Sequence, residues 1–200
     1  MQRVLLWIDR LNAYIGQAFG WSILALTLVI CYEVFARYLF GAPTTWAFDT
    51  SYMLYGALFM MAGAYTLSRN AHVRGDFLYR TWSPRRQAWM DLVLYLLFFF
   101  PGILALVIAG TIEADKSWLM DERTNSPATA PLYPFKTLIP IVGVLMLLQG
   151  LVEFVRCIIC IRTGKWPQRL RDVEETEKAA LEGASAGVDA TGVDSKGAGR

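Results

Sequence analysis

The chain has 200 residues, a length that by itself would fit one ordinary soluble domain. Its composition excludes a soluble globular enzyme, because hydrophobic residues make up 55%, charged residues only 18%, and the mean hydropathy is +0.36. Soluble domains usually carry about 25% charged residues. A net charge of +2 with scattered basic side chains also argues against a nucleic-acid-binding protein.

Four long apolar stretches follow one another along the chain, and nearly all ionisable residues lie between them. They cover residues of about 14–35, 46–67, 88–112 and 135–161. An apolar run of 18 or more residues predicts a membrane-crossing helix, and 22 helical residues span roughly 33 Å. We therefore predict an all-α integral membrane domain over residues 1–162 with four transmembrane helices. Residues 3–12 are predicted to form an amphipathic lead-in on the membrane surface.

Lysine and arginine are distributed unevenly between the connecting segments. They are frequent before the first span, between the second and third spans (68–87) and after the fourth, and scarce in the other two loops. Because short cytoplasmic loops carry the excess of Lys and Arg, both termini are predicted to face the cytoplasm. The segment 68–87 is predicted to lie at the cytoplasmic interface, with its arginines on anionic headgroups.

The composition changes after the fourth predicted span. Residues 183–200 are rich in Gly, Ala, Ser and Asp and contain no large apolar residue except two valines. Such a segment buries too little surface to offset its ordering entropy. Residues 163–200 are therefore predicted to be a cytoplasmic tail that is largely disordered.

The residues needed for several kinds of catalysis are missing. His72 is the sole histidine, so the chain cannot hold a bis-histidine haem or a histidine-based zinc or di-iron site. No phosphate-binding loop of the G-x-x-x-x-G-K-[ST] type is present. Cys157 and Cys160 have a redox-like spacing, but they lie near the end of an apolar helix and are interpreted as small apolar fillers. We predict no enzymatic activity, no metal and no cofactor.

Two pairs of charged residues lie near the ends of predicted spans. Glu33 and Arg37 are four residues apart near the outer end of the first span, which is the favourable order for a helical ion pair. Asp49 enters the second span from the same side and is expected to share Arg37. Glu153 and Arg156 form a similar pair at the inner end of the fourth span. Two interpretations remain open: the pairs lower the cost of burying charge, or they position another protein chain.

The second outer loop, residues 113–134, is long for a simple connection. Its 22 residues contain four acids and carry a net charge of −2. Long loops in compact folds tend to be functional or disordered. We therefore expect this loop, with Asp121 and Glu122, to be a docking surface.

Small residues recur at helical spacing in three of the predicted spans. Such spacing permits close approach of two helices, although glycine is common in membrane helices in any case. The glycines concerned are Gly16 and Gly20, Gly56 and Gly63, and Gly143 and Gly150.

The order of several short motifs resembles the small membrane subunit, the DctQ-like small permease, of the tripartite ATP-independent periplasmic (TRAP) transporters. The motifs are E-V-F-A-R-Y-L-F at 33–40, Trp46 followed three residues later by an acid, H-V-R-G-D-F at 72–77, and S-P at 126–127 leading to Y-P-F-K-T-L-I-P at 133–140. The chain departs from the family in two places: Asp49 stands where Glu is often found, and Gly75 replaces a commoner apolar residue.

The resemblance implies a role in the uptake of organic acids across the bacterial inner membrane. In this family a periplasmic binding protein delivers the substrate, and a large membrane subunit carries the substrate and ion sites. The small subunit braces the large one, and an ion gradient, usually sodium, drives transport. The candidate residues for subunit contact or for structure are then Glu33, Arg37, Asp49, His72, Asp76, Glu153 and Arg156. A self-assembling four-helix exporter and the membrane anchor of an enzyme complex remain alternatives.

Overall fold

A computed structural model describes residues 2–69, 79 and 81–170. The regular elements of the described part are helices, joined by turns and loops that include one isolated bridge between Arg123 and Pro131. Its named helices are α1 (Gln2–Gly20), α2 (Ser22–Tyr38), α3 (Ala47–Ser68), α4 (Pro84–Leu94), a π-helical turn (Tyr95–Phe99), α5 (Phe100–Leu119) and α6 (Tyr133–Thr163). Residues 171–200, most of the predicted tail, lie outside the described residues.

Helices α1 and α2 follow each other almost without interruption. Only Trp21 separates them, and its backbone stays in the right-handed helical region. The predicted first span, 14–35, therefore begins inside α1, and residues 3–12 are the first half of the same helix. Asp9 and Asn12 of this segment are buried. Polar side chains of residues 3–12 therefore face the helix bundle, and the position of this segment at the membrane surface stays a prediction.

The third predicted span is part of a longer helical segment. It begins at Pro84, directly after Ser83 in extended conformation, passes through the π-helical turn and ends at Leu119. Residues 113–119 are therefore helical, which corrects the predicted loop of 113–134 to about 120–132. Helix α6 begins at Tyr133 with Pro134 in its first turn and ends before Gly164, whose φ of 75° favours glycine.

Within the described residues, three helical segments are long and apolar enough to cross a membrane, namely Gln2–Tyr38, Pro84–Leu119 and Tyr133–Thr163. Helix α3 has 22 residues, which is sufficient length to cross a membrane, but no stretch of 18 of its residues is as apolar as the most apolar stretch of each of these three segments. The structure therefore has the all-helical, apolar character of a membrane protein. The crossing of the membrane by α3 and the orientation of the chain stay predictions.

The core lies where α1, α3 and α6 meet. Met61 and Ala64 of α3 pack against Val142 and Leu145 of α6. Glycines let these helices approach closely: a Cβ atom at Gly16 of α1 would lie 2.5 Å from Cβ of Tyr65 on α3. A second, smaller cluster joins Ala88 of α4 to Cys157 and Cys160 of α6.

Candidate functional site

A buried ionic cluster joins the first half of α1 to the last third of α6. Arg156 is 0% exposed and donates from Nη2 to Oδ2 of Asp9 at 2.5 Å. It also donates from Nη1 to Oε1 of Glu153 at 2.6 Å, so the predicted pair on α6 is formed. A buried charge is tolerated only when it is paired and hydrogen-bonded, and Arg156 meets this condition through two helices.

Two amide side chains extend the cluster. Gln149 Nε2 donates to Asp9 Oδ1 at 2.7 Å, and Asn12 Nδ2 donates to Gln149 Oε1 at 2.8 Å. All of these side chains are buried. The chain of hydrogen bonds therefore fixes the position of α1 against α6.

Asp9, Asn12 and Gln149 were not among the site residues predicted from the sequence. The available signal was their spacing: residues 9 and 12 share one face of a helix, and residues 149, 153 and 156 share one face of another. Nothing in the spacing shows that the two faces meet, because 137 residues separate Asn12 from Gln149.

Glu33 and Arg37 form the pair predicted from their spacing. Arg37 donates to Glu33 Oε1 from Nη2 at 2.5 Å and from Nε at 2.9 Å. The other oxygen of Glu33, Oε2, accepts from the backbone N–H of Thr44 at 3.0 Å and from the hydroxyl of Thr44. Glu33 therefore ties the end of α2 to the turn that leads into α3, while more than half of the Arg37 side chain stays exposed.

Asp49 does not join this pair, which corrects the expectation that it shares Arg37. The carboxylate of Asp49 is buried and accepts from the hydroxyl of Thr124 at 2.7 Å and from the hydroxyl of Ser126. The reason is that the segment 120–132 folds back over the first turn of α3. Asp49 thus anchors the outer loop instead of the α2–α3 turn.

The outer loop is also bound to the first turn of α6. Lys136 Nζ pairs with Glu122 Oε2 at 2.6 Å, and the rings of Trp118 and Tyr133 lie 4.4 Å apart. The hydrogen bonds from Lys136 hold the pKa of Glu122 below its ordinary value of 4.5. Glu122 is therefore negatively charged at neutral pH, where it pairs with Lys136.

The two predicted docking residues differ in environment. The side chain of Glu122 is 30% exposed and engaged with Lys136, whereas that of Asp121 is 64% exposed and lies 3.2 Å from Arg123. Asp121 is thus the more accessible of the two. His72 and Asp76, the remaining predicted site residues, lie outside the described residues.

The match of the chain to a known protein family agrees with this structure. Residues 26–160 match the family described as "Tripartite ATP-independent periplasmic transporters, DctQ component". These residues include α3, the outer loop and nearly all of α6, but not Asp9 and Asn12. A comparison with curated proteins finds no match. Since the family match covers more than half of the chain, the protein belongs to the DctQ family and is a small permease subunit of a TRAP transporter.

Proposed function

We propose that the chain acts as a rigid brace for the large membrane subunit of its transporter. The observation that carries this proposal is that its buried charged side chains are hydrogen-bonded to other residues of the same chain. In the described helices, Asp9 and Glu153 both accept from Arg156, Asp49 accepts from the outer loop, and Asp91 accepts from the hydroxyl of Tyr79 at 2.7 Å. Side chains bonded in this way stabilise the fold and are poorly placed to bind a transported solute.

Membership of the family is the basis of our proposal for the transport reaction of the whole complex. We propose that the complex takes up an organic acid, that a periplasmic binding protein delivers this substrate, and that an ion gradient drives transport without ATP hydrolysis. The sites for substrate and coupling ion are assigned to the large subunit.

The outer loop is proposed to face the periplasm and to contribute to docking of the binding protein. Two features support this assignment. The loop and the basic segment that follows α6 flank opposite ends of this helix, and the positive-inside rule favours the cytoplasm for the basic segment. It is also held in one shape by Asp49 and Lys136, and a preformed loop loses less entropy on binding.

Co-purification in mild detergent tests the brace proposal. The tagged chain, extracted from its own membranes, should retain a much larger, many-span partner in stoichiometric amount, as identified by mass spectrometry. Arg37→Ala should lower the recovery of that partner several-fold, because the exposed guanidinium is a proposed contact.

Lys116→Ala is the matched control. Lys116 forms a similar exposed pair with Glu113 at 3.2 Å, but on α5. Recovery of the chain alone or as a homo-oligomer, in a detergent shown to preserve membrane complexes, would contradict the brace and favour the exporter. Equal partner recovery from Arg37→Ala and Lys116→Ala would remove Arg37 from the contact.

A further inference from the structure

A cavity of about 730 Å³ lies between the end of α3 and the continuous helical segment formed by α4, the π-helical turn and α5. Leu67, Tyr95 and Ile103 line it and are buried, whereas Leu94 and Phe98 line it and are exposed. The cavity is therefore a cleft that is open to the surroundings of the bundle. Its volume and its mostly apolar lining are typical of a small-molecule site.

Asp91 forms the charged end of the cleft. Its carboxylate oxygen Oδ2 accepts a hydrogen bond from the hydroxyl of Tyr79 at 2.7 Å, and both residues line the cleft. From there the cleft follows the helical segment as far as Ile103, past aliphatic and aromatic side chains and Gly102. The cleft thus combines one polar end with an apolar length of about 18 Å, which is the rise of about 12 helical residues.

The depth of the cleft matches one leaflet of a bilayer. Residues 92–112 contain no charged residue, and these 21 helical residues rise about 32 Å, close to a hydrocarbon thickness of about 30 Å. The middle of this stretch is residue 102. Gly102 and Ile103 are the last residues of this segment that line the cleft. The cleft therefore extends from the edge of the apolar stretch to its middle.

This depth favours a lipid chain over a helix of another protein as the occupant of the cleft. A transmembrane helix passes through the whole hydrocarbon core, because its backbone has to stay hydrogen-bonded across it. An acyl chain of a phospholipid instead ends near the middle of the bilayer. Water does not suit the apolar part of the cleft, because a buried water needs about two to four polar partners.

Basic side chains lie just outside the charged end of the cleft. Arg85 and Arg86 are exposed in the first turn of α4. Arg86 is four residues before Met90, which lines the cleft, so the two side chains share one face of the helix. An exposed arginine at the edge of the membrane is suited to bind a phosphate group. The carboxylate of Asp91 has the charge that is complementary to an ammonium group on the same headgroup.

We propose that the cleft binds one phospholipid of the leaflet on the side of Arg86. One acyl chain fills the cleft as far as Ile103, and the phosphate binds Arg86. An ammonium group, as in phosphatidylethanolamine, lies beside Asp91. The site is independent of the brace proposal, since it requires no second subunit.

Native mass spectrometry of the tagged full-length chain, extracted from its own membranes in mild detergent, tests this site. We expect one phospholipid per chain to remain bound after the detergent is removed. Gly102→Phe should lower the retained phospholipid several-fold, because a Cβ at Gly102 meets no atom within 4 Å and the ring can enter the cleft. Gly20→Phe on α1 is the matched control, since a Cβ at Gly20 also meets no atom within 4 Å. Equal retention by the two variants, compared as monodisperse protein, would contradict the site.

A second pair of variants tests the headgroup contact. Arg86→Ala should lower phospholipid retention several-fold, whereas Arg162→Ala, at an exposed position in the last turn of α6, should leave it unchanged. The masses of the retained lipids should be those of phosphatidylethanolamine. Preferential retention of a purely anionic phospholipid would contradict the role of Asp91.

Photolabelling of the unaltered chain in its membrane complex tests the depth of the site without any variant that could misfold. The probe is a phosphatidylethanolamine with a diazirine at the end of one acyl chain, and labelled peptides are identified by mass spectrometry. We expect the label to concentrate around Gly102 and Ile103. Even labelling of other exposed surfaces, such as that of α2, would show that lipid merely surrounds the protein. A cleft without label next to a labelled large subunit would show that this subunit covers it, and either result would overturn the proposal.

Discussion

Arg156 is the largest side chain that is fully buried in the described part of the protein. Its two carboxylate partners come from different places, Glu153 from the preceding turn of α6 and Asp9 from α1. The pair within α6 could form in an isolated helix, whereas the pair with Asp9 requires the folded bundle. Arg156 therefore links the local structure of α6 to the packing of α1.

Removing this cation should be strongly destabilising. Arg156→Met keeps an apolar side chain of similar length but takes the cation from Asp9 and Glu153, and breaking a buried pair in this way costs about 3–5 kcal/mol. We expect a large loss of monodisperse protein in size-exclusion chromatography after mild heating in detergent. Arg162→Met, an exposed position in the last turn of the same helix, is the control. A similar loss of monodisperse protein from both variants would show that the cluster does not stabilise the bundle.

At the scale of helices, the contact between α1 and α3 depends on the absence of a side chain at Gly16. The nearest atom to a Cβ at this position is Cβ of Tyr65, which can move only with the α3 backbone. Gly20, one turn later on α1, has no atom within 4 Å of its Cβ position. The predicted glycine stripe therefore contains one residue that is needed for packing and one that is not.

This difference gives a matched pair of variants. Gly16→Ala should destabilise the protein by about 1–3 kcal/mol, because α1 and α3 must separate to admit the methyl group. Gly20→Ala should be neutral or slightly stabilising, since alanine favours the helix and meets nothing. Thermal unfolding of both variants in one detergent measures the effect. Equal melting temperatures would indicate that α1 and α3 adjust without cost.

At the scale of the whole molecule, the orientation of the chain in the membrane decides whether the outer loop can meet a periplasmic binding protein. The loop 120–132 and the segment after α6 lie at opposite ends of α6, so one crossing by α6 places them on opposite sides of the membrane. The orientation proposed from the positive-inside rule would place the loop in the periplasm. A loop on the cytoplasmic side could not meet a periplasmic binding protein.

Cysteine labelling tests this orientation. In a Cys31→Ser background, Asp121→Cys should react with a membrane-impermeant maleimide added from the periplasmic side. Lys165→Cys should react only after the membrane is disrupted, because the proposed orientation places the segment after α6 on the cytoplasmic side. Both positions are exposed, so accessibility within the protein does not limit the reaction. The reverse labelling pattern would invert the topology and end the docking proposal.

Much of the fold was predictable from local properties of the chain. The long apolar runs predict helices, because a helix satisfies its own backbone hydrogen bonds and needs no information from distant residues. The pairs Glu33–Arg37 and Glu153–Arg156 were predictable for the same reason, since residues three or four apart meet on one helix. The motif order around 33–40 and 126–140 likewise indicated the family, which the match over residues 26–160 confirms.

Only the tertiary structure decided which separate elements meet. Asp9 reaches Arg156 across 147 residues, and Asp49 reaches Thr124 instead of the nearer Arg37. The extension of α5 to Leu119 shortens the outer loop and brings it over α3. The physical reason is that helical periodicity shows which side chains share a face, whereas the pairing of faces depends on close packing and on satisfying buried polar groups. Those conditions can be evaluated only when all the helices are in place.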